Sequence, residues 1–483
     1  MRYRKAPPQD GAILIMFAMV LLVMLLMIGL ALDLGQVYNR RIELQDVADA
    51  AALAAAGQLN GTATGISNAA SSAGQAAGQL FFQYNTQSVT WSNAALMFSN
   101  SASAPDSAWL NVASAQAAPD GLLFAKVDTG ALNSAVGTVT TAFMSLISSA
   151  LASTTTTGHA IAGRSSLNIT PLAICAMSNT AAVGRNNPTP PVKVELVEYG
   201  FRRGVAYDLM QLNPNATAPE NFLFDPIDPP GTPGLAANFA PVIVGPFICA
   251  GSVPMPRVTG GSVTVQRPFP LGSLYQQLNS RFDQYAGNLC TVNGAPPDAN
   301  IKSFAYNGPV SWMAQPNGQA SDKQIDTALR TKADLASPNA NTPAMYGVLW
   351  SYAKPVPWSD YVAGVPEPAA GYSPVFATSN WATLYASGAP TANNYPPLLP
   401  YVAISGANFQ APSAAHMPGV RNRRVLNVPL LSCPVAAGGT ASATVLAIGK
   451  FFMTVPATST ALVVEFAGVV PEQSLGGHLE LYP

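Results

Sequence analysis

Few of the residues that commonly carry catalysis stand close together in this chain. Its three histidines, His159, His416 and His478, are isolated from one another and from the cysteines. The chain has no Gly-x-Ser-x-Gly nucleophile motif, no Gly-x-x-x-x-Gly-Lys-Ser/Thr phosphate loop, no His-Glu-x-x-His pair and no Gly-x-Gly-x-x-Gly fingerprint. We therefore expect a protein that is not an enzyme, in which His159 and His416 are ordinary surface or hydrogen-bonded residues.

Four cysteines, Cys175, Cys249, Cys290 and Cys433, all follow an apolar N-terminal segment. An even number of cysteines in an oxidising compartment favours disulfides, and four cysteines allow three pairings. We favour Cys249 with Cys290, which closes a local loop, and Cys175 with Cys433, which ties together the two ends of the region. Because no Cys-x-x-Cys spacing is present, we expect neither a zinc site nor any other metal or cofactor.

Two further groups of residues are candidate contact surfaces. Arg421, Arg423 and Arg424 could hold an acidic partner or phosphate groups, but charges that lead into a strand are typical of a solvated edge, and we favour that interpretation. Aromatic residues among prolines and glycines form a candidate contact loop, although burial in a core is equally consistent with their types. These residues are Trp350, Tyr352, Trp358, Tyr361 and Tyr372.

The overall composition is typical of an exported, weakly charged protein. Charged residues make up 10% of the chain, against about 25% in an average soluble domain. The formal net charge of −1 gives no basic field that would recruit nucleic acid, so we expect no nucleic-acid partner. The 42 prolines and 39 glycines indicate a loop-rich region rather than disorder.

The elements that must position these residues begin with an apolar run from Ala12 to Leu32 that contains no charged residue. At about 1.5 Å per residue it is roughly 31 Å long, which matches the hydrocarbon thickness of a bilayer. Arg2, Arg4 and Lys5 precede it and should stay in the cytoplasm. A cleaved signal peptide is the alternative, but its apolar run is normally about 7 to 15 residues long, so we expect a retained anchor.

The same helix is predicted to continue beyond the membrane, from Asp33 to Ala56, because no proline interrupts the sequence and apolar or small residues follow one helical face. Gly35 is a weak point of about 1 kcal/mol. The alanines from Ala50 to Ala56 could pack against the helix of another protein, or the stem could pack on its own domain. Asp33 could pair with a neighbouring subunit or merely mark the membrane interface.

A glycine precedes the apolar run, Phe17-Ala18 lies within it, the run ends in Leu32-Asp33-Leu34-Gly35, and the sequence LQDVADAAAL extends from Leu44 to Leu53. These features resemble the N-terminal segment of TadG-like (TadE/G-like) proteins of the Tad (tight adherence, Flp) pilus machinery. The helix-packing candidates within this signature are Gly11, Phe17, Asp33, Gly35, Gln45, Asp49 and Ala52.

The resemblance implies a single-pass protein of the bacterial inner membrane, with its N-terminus in the cytoplasm and most of its chain in the periplasm. Its implied partners are the lipid bilayer, other pilus-assembly or minor pilin proteins, and a second copy of itself in a homo-oligomer. Weaker similarity continues at Ala160 to Arg164, at Pro171 to Cys175, and between Arg423 and Thr454.

Two features of the sequence depart from the patterns of this group. Pilins of the TadE kind carry a glutamate five residues into the mature helix, whereas the fifth residue after Gly11 is Met16, so we expect the N-terminus to remain unprocessed. Many TadG-like proteins contain a von Willebrand A domain with an Asp-x-Ser-x-Ser metal loop. This sequence lacks that loop, so no metal-dependent adhesion site is expected.

The predicted fold class is α+β. We expect a cytoplasmic basic segment at 1–11, a transmembrane helix at 12–33, a helical stem and small pilin-like α+β domain at 34–175, and a larger, mostly β periplasmic domain at 190–483. The small domain should contain helices near 62–84 and 131–150 and strands near 87–99, 122–128 and 153–164. The larger one should contain a half-buried strand at 192–199, a helix at 271–285 and strands near 424–432, 443–455 and 461–470, with Pro188 to Pro191 marking the boundary.

The sequence leaves three functional hypotheses. We favour a structural component of Tad/Flp (type IVc) pilus assembly or secretion that acts through helix packing and periplasmic protein contacts. An alternative is a membrane-anchored adhesin whose β-rich C-terminal domain recognises a surface glycan or protein. An anchored hydrolase would require a serine, histidine and aspartate brought together from distant parts of the chain.

Overall fold

A 47-residue helix opens the computed structural model and passes from an exposed apolar half into a buried one. The structure describes the chain except for residues 1–9, 85, 120, 188–190, 216–217, 229, 307–309, 313–319, 322–330, 332, 334–344, 369, 386–391 and 483. The expected basic segment therefore falls almost wholly outside the described residues, as do three of the four positions in the expected boundary at 188–191.

The described helices are α1 (Asp10–Ala56), α2 (Ala63–Gly78), α3 (Val112–Ala117), α4 (Ser134–Gly137), α5 (Pro241–Ala250), α6 (Leu271–Asn279) and α7 (Trp381–Leu384). The strands up to residue 208 are β1 (Phe81–Phe82), β2 (Gln87–Ser88), β3 (Leu96–Ser99), β4 (Leu110–Asn111), β5 (Phe124–Asp128), β6 (Thr138–Thr140), β7 (Ser153–Thr155), β8 (His159–Arg164), β9 (Leu172–Cys175), β10 (Ala182–Asn186), β11 (Val194–Glu198), β12 (Phe201–Arg202) and β13 (Ala206–Asp208). The remaining strands are β14 (Asn221–Phe224), β15 (Ser262–Gln266), β16 (Val425–Leu431), β17 (Thr440–Met453), β18 (Val463–Val470) and β19 (Leu479–Tyr482). The predicted α+β class is confirmed, with one long apolar N-terminal helix and a mostly β region later in the chain.

The chain divides into two units, one formed by Met1–Arg164 with Leu479–Pro483 and the other by Ser165–His478. This division differs from the expected one at 175 to 190. The difference has a physical cause, because the short C-terminal strand β19 pairs with β8 and so belongs to the first unit. Strand β9, which we assigned to the first domain, instead pairs with β14 and β16 of the second unit.

In the first unit, the second half of α1 packs against α2 and an antiparallel sheet in the order β19-β8-β5-β3-β4. The buried face of α1 repeats every three or four residues, as one face of a helix requires. It comprises Leu44, Val47, Ala48, Ala51, Ala52 and Ala55. Small side chains let the sheet approach closely, and a Cβ atom at Gly158 would collide with the backbone carbonyl of Leu44.

The helix predicted near 131–150 is not formed. In its place the structure has the short helix α4, a β6–β7 hairpin and two 3-10 turns, Met144–Leu146 and Ser149–Leu151. The physical reason is the run Thr138-Val139-Thr140, because β-branched residues lose side-chain freedom in a helix and favour strands. The helix predicted near 62–84 is α2, which ends at Gly78.

In the second unit, five strands close into a circuit of hydrogen-bonded pairs. Strand β17 pairs with β15, β15 with β14, β14 with β9, β9 in parallel with β16, and β16 again with β17. Strands β18 and β13 extend the sheet from β17. Alternate residues contribute to two separate hydrophobic clusters, such as Phe222 and Phe224 to one and Leu223 to the other. The three strands predicted near 424–432, 443–455 and 461–470 correspond to β16, β17 and β18.

Two local predictions in this unit need correction. Strand β11 is buried along most of its length rather than on one face, because arginines neutralise its buried Glu195 and Glu198. The helix predicted at 271–285 ends at Asn279 and continues as a 3-10 turn. Its apolar stripe does face the core, where Leu274 and Leu278 are fully buried.

Candidate association surface of the N-terminal helix

The first half of α1 is apolar and exposed. Large side chains from Ile13 to Ile28, including the packing candidate Phe17, are largely uncovered by the described protein. This part of the helix is long and apolar enough to cross a membrane. These exposed side chains lie around the whole circumference of the helix, whereas a helix on a soluble domain normally buries one apolar face. Gly11 lies in α1, but its surroundings are outside the described part of the structure.

Asp33, at the end of the apolar run, is buried and held by its own chain. Its Oδ2 atom accepts hydrogen bonds from the backbone N–H groups of Phe143 at 2.8 Å and Met144 at 2.7 Å. Those amides open a 3-10 turn, where an acidic group satisfies N–H groups that have no partner within the turn. Within the described residues, Asp33 therefore binds the start of this turn in its own chain.

Two turns further along α1, Arg40 and Glu43 hold neighbouring loops. Arg40 donates to the carbonyl oxygen of Val136 at 2.7 Å, and its guanidinium lies 4.7 Å from the ring centre of Phe82. Glu43 accepts hydrogen bonds from the N–H of Gln83 at 2.8 Å and forms a 3.3 Å ion pair with Arg40. Neither residue was among the candidates expected from the sequence. Their spacing of three positions in the NRRIE segment is nevertheless typical of an ion pair on one helix face.

The packing candidates in the stem make contacts within their own unit. Gln45 Nε2 donates to Asp49 Oδ1 and to the carbonyl oxygen of His159, each at 2.7 Å. Ala52 is completely buried against the same unit. In the described structure, these stem residues therefore pack on their own domain.

One face of α1 remains uncovered just beyond the apolar run, between residues 34 and 42. Leu34, Tyr38 and Ile42 repeat every four residues, and all three are exposed, Tyr38 by 67%. Gly35 adjoins them, and a Cβ atom built there would meet nothing within 4 Å. Residues spaced by four share a helix face, so these side chains form a continuous apolar stripe that another helix could cover. We call residues 34, 35, 38 and 42 the stem stripe.

The arginine cluster is not the solvated edge that we favoured. Arg424 is fully buried, donates to the carbonyl oxygens of Asn300 and Met453, and lies 4.4 Å from the ring centre of Phe452. Burial lowers the pKa of Arg424 to about 9. Arg423 donates to backbone carbonyls of the α5 region, and within this cluster only Arg421 is exposed. Two of the three arginines therefore hold the fold together.

The aromatic contact loop is mostly structural. Trp350 is completely buried beside Trp381, with ring centres 4.6 Å apart. Trp358 stacks on Tyr361 at 5.3 Å, and both are half-buried. Tyr352 stacks on Phe452 and Tyr372 lies against the Arg203 guanidinium. Each of these aromatic rings therefore makes a contact within the protein.

The cysteines form two disulfides, Cys175–Cys433 and Cys249–Cys290. These are the same pairs that the sequence favoured. Among the described residues, one group of ligand atoms lies close enough for a metal, namely Cys175, Cys433 and Glu220. Its two sulfurs are already bonded to each other, so they supply no thiolate for a metal ion.

The histidines occupy ordinary hydrogen-bonded positions. His416 Nδ1 lies 2.5 Å from Asp283 Oδ1, and His159 Nδ1 lies 3.3 Å from Asp128 Oδ1. The Asp283 carboxylate also accepts from the N–H of Ser413, and these hydrogen bonds lower its pKa despite partial burial. Each of these two histidines is thus paired with an acidic side chain.

Residues 11–79 match the model of the Tad family, described as "Putative Flp pilus-assembly TadE/G-like". No curated protein and no solved structure matches the chain. The matched segment contains α1 from Gly11 onward and all of α2, and so includes the apolar run, Asp33 and the stem stripe. The resemblance of the N-terminal segment noted from the sequence is thereby confirmed for residues 11–79.

Proposed function

We propose, from the premise that residues 11–79 make this chain a Tad/Flp pilus-associated component, that it serves pilus assembly as a membrane-anchored structural protein. It would cross the bacterial inner membrane once, with its N-terminus in the cytoplasm and most of its chain in the periplasm. Its action would be association rather than catalysis. The match to the TadE/G-like family is the single observation that carries this proposal.

The physical properties of α1 support the anchor. The uncharged run from Ala12 to Leu32 has the length of a bilayer core, and its described side chains are exposed on all sides. The basic residues before it favour a cytoplasmic N-terminus. Met16 stands where a TadE pilin carries glutamate, so the helix would remain uncleaved as a permanent anchor.

The stem stripe is the surface through which we propose that α1 meets other helices of the pilus machinery. The opposite face of the stem is already occupied by its own unit through Asp33, Arg40 and Val47. Leu34, Tyr38 and Ile42 remain exposed directly after the membrane-spanning run. Gly35 permits the close backbone approach that favours helix association at and near membranes. The partner would be a pilin, another assembly protein or a second copy of this chain.

Site-specific photocrosslinking from intact membranes tests this proposal. A photoreactive amino acid at Tyr38 should yield crosslinks to pilus subunits, assembly proteins or a second copy, identified by mass spectrometry. The same amino acid at Gln36 is the matched control, because this residue is also exposed but lies on the other flank of the helix, about 160° away from Tyr38. Equal crosslinking from both positions, or capture of lipids alone at Tyr38, would refute association through the stripe.

Mass spectrometry of the N-terminus in the same sample tests whether the anchor is permanent. The proposal predicts peptides that contain residues on both sides of Gly11. A mature N-terminus immediately after Gly11 would show processing and would make the chain a pilin-like subunit instead.

A further inference from the structure

The β6–β7 hairpin carries an exposed apolar tip. The tip comprises residues 141–152, with sequence TAFMSLISSALA, and contains no charged residue. Four of its side chains are exposed despite being large and apolar, namely Phe143 by 39%, Leu146 by 73%, Ile147 by 66% and Leu151 by 41%. A cluster of this kind on a soluble surface marks a contact with something apolar.

The tip lies beside the last turn of the apolar run in α1. The Phe143 side chain occupies the space above Gly29, so that a Cβ atom at Gly29 would collide with the ring. One turn later, Asp33 accepts the two hydrogen bonds from Phe143 and Met144. Gly29 precedes the end of the run at Leu32 by three residues, which is about 4.5 Å along a helix axis. The tip is therefore level with a part of α1 that belongs to the membrane span.

The backbone of the tip is equipped for a medium with little water. A segment that enters lipid must satisfy its N–H groups internally, because hydrocarbon offers no hydrogen-bond partner. In this tip, ten of the twelve N–H groups donate to carbonyl or hydroxyl oxygens of the tip itself or to the Asp33 carboxylate. The donors are Thr141, Phe143, Met144, Ser145, Leu146, Ile147, Ser148, Ala150, Leu151 and Ala152.

The base of the hairpin differs from its tip. Arg40 donates to the carbonyl oxygens of Val136 and Thr138, and Thr138 pairs with the exposed Thr155 across the hairpin. Arg40 follows Asp33 by seven residues, so the base of the hairpin lies about 10 Å further along the helix axis than the Asp33 contact with the tip. Polar residues therefore replace apolar ones as the hairpin rises away from the apolar run.

We propose that residues 141–152 insert into the periplasmic leaflet of the bilayer beside α1, forming a second membrane contact of this protein. The inference rests on the proposed function, because it takes the run from Ala12 to Leu32 to be the membrane anchor. Phe143, Leu146, Ile147 and Leu151 contact the acyl chains and the inner part of the headgroup region. Together with α1, this contact fixes the orientation of the first unit with respect to the membrane surface.

Spin labelling of the full chain in phospholipid bilayers tests the insertion. Single variants Leu146→Cys and Ile147→Cys carry the label, and the native cysteines take none because both pairs are oxidised. Both substituted side chains are exposed, so the label displaces no core residue. Collision rates with oxygen, which concentrates in lipid, and with a water-soluble nickel chelate report the depth of each label. Thr155→Cys is the matched control at the hairpin base, and Leu22→Cys reports the anchor.

Insertion predicts that labels at 146 and 147 collide readily with oxygen and lose contact with the nickel chelate, whereas the label at 155 stays accessible to the chelate. Accessibility of the tip labels equal to that at 155, with the label at 22 in lipid, overturns insertion and leaves the anchor intact. Tip labels shielded from both reagents show a protein occupant and also overturn it. A label at 22 in water overturns the anchor and the insertion together.

Discussion

Removal of the Asp33 carboxylate should release the hairpin tip from α1. In the Asp33→Ala variant, the N–H groups of Phe143 and Met144 lose acceptors at 2.8 and 2.7 Å. Hydrogen bonds to a charged group contribute about 1.5–3 kcal/mol each, so the two together contribute at least about 3 kcal/mol. At about 1.4 kcal/mol per factor of ten, the opening equilibrium of the tip should rise roughly a hundredfold or more. Asp33→Asn keeps a neutral acceptor and should lose about half as much.

Amide hydrogen exchange of the full chain in lipid nanodiscs measures this opening directly. Peptides that contain residues 143 and 144 should exchange roughly a hundredfold faster in Asp33→Ala under conditions in which the tip recloses faster than its open amides exchange. Asp46→Ala is the matched control, because it removes an exposed carboxylate from the same helix. Peptides from strand β8 should be unchanged in all variants, since its core contacts do not involve Asp33. Unchanged protection at 143 and 144 in Asp33→Ala would refute the proposed role of this carboxylate.

Three further predictions concern the second unit. The disulfide Cys175–Cys433 spans 258 residues, and its replacement by two serines should lower the unfolding free energy by about 5 kcal/mol on the chain-entropy estimate. Denaturant titration measures this loss, and a loss under 1 kcal/mol would contradict the prediction. Burial raises the pKa of Glu465 to about 7 from an ordinary value of 4.5, so the folded chain binds its proton more tightly than the unfolded chain does. Its contribution to stability is therefore fully present below about pH 4.5 and falls by about 3 kcal/mol as the pH rises through 7. The Glu465→Gln variant should lack this pH dependence. Parallel stability profiles of the two proteins between pH 4 and 8 would contradict the prediction. Arg202→Met should lower the unfolding free energy by about 3–5 kcal/mol, because it leaves the buried Glu195 carboxylate without its 2.8 Å partner. In a double-mutant cycle, adding Glu195→Leu should recover much of that loss. Additive losses of stability would contradict a coupled ion pair.

Elements that depend on local pattern could be predicted from the sequence. The apolar run and the absence of proline led to α1, and the strands expected near 424–432, 443–455 and 461–470 correspond to β16, β17 and β18. The helix expected at 131–150 was wrong because the β-branched run at 138–140 favours a strand. Local pattern also could not place β19, whose partner β8 lies more than 300 residues earlier.

Contacts between distant parts of the chain explain what the sequence could not reveal about the candidate site. Asp33 acts on amides 110 and 111 residues away, and Arg424 on carbonyls at 300 and 302. The sequence around Asp33 or Arg424 contains no pattern that predicts these backbone partners. The alanine stem posed the same difficulty, because a small-residue face suits a neighbouring protein and the domain's own sheet equally well.

The role in pilus assembly is tested most directly by deleting the gene in the bacterium that carries it and counting surface pili by electron microscopy. The account predicts that pili are lost on deletion and return with the full chain. They should not return with residues 34–483 exported behind an unrelated cleavable signal peptide, because that fragment lacks the anchor. Normal numbers of pili in the deletion strain would contradict the assembly function.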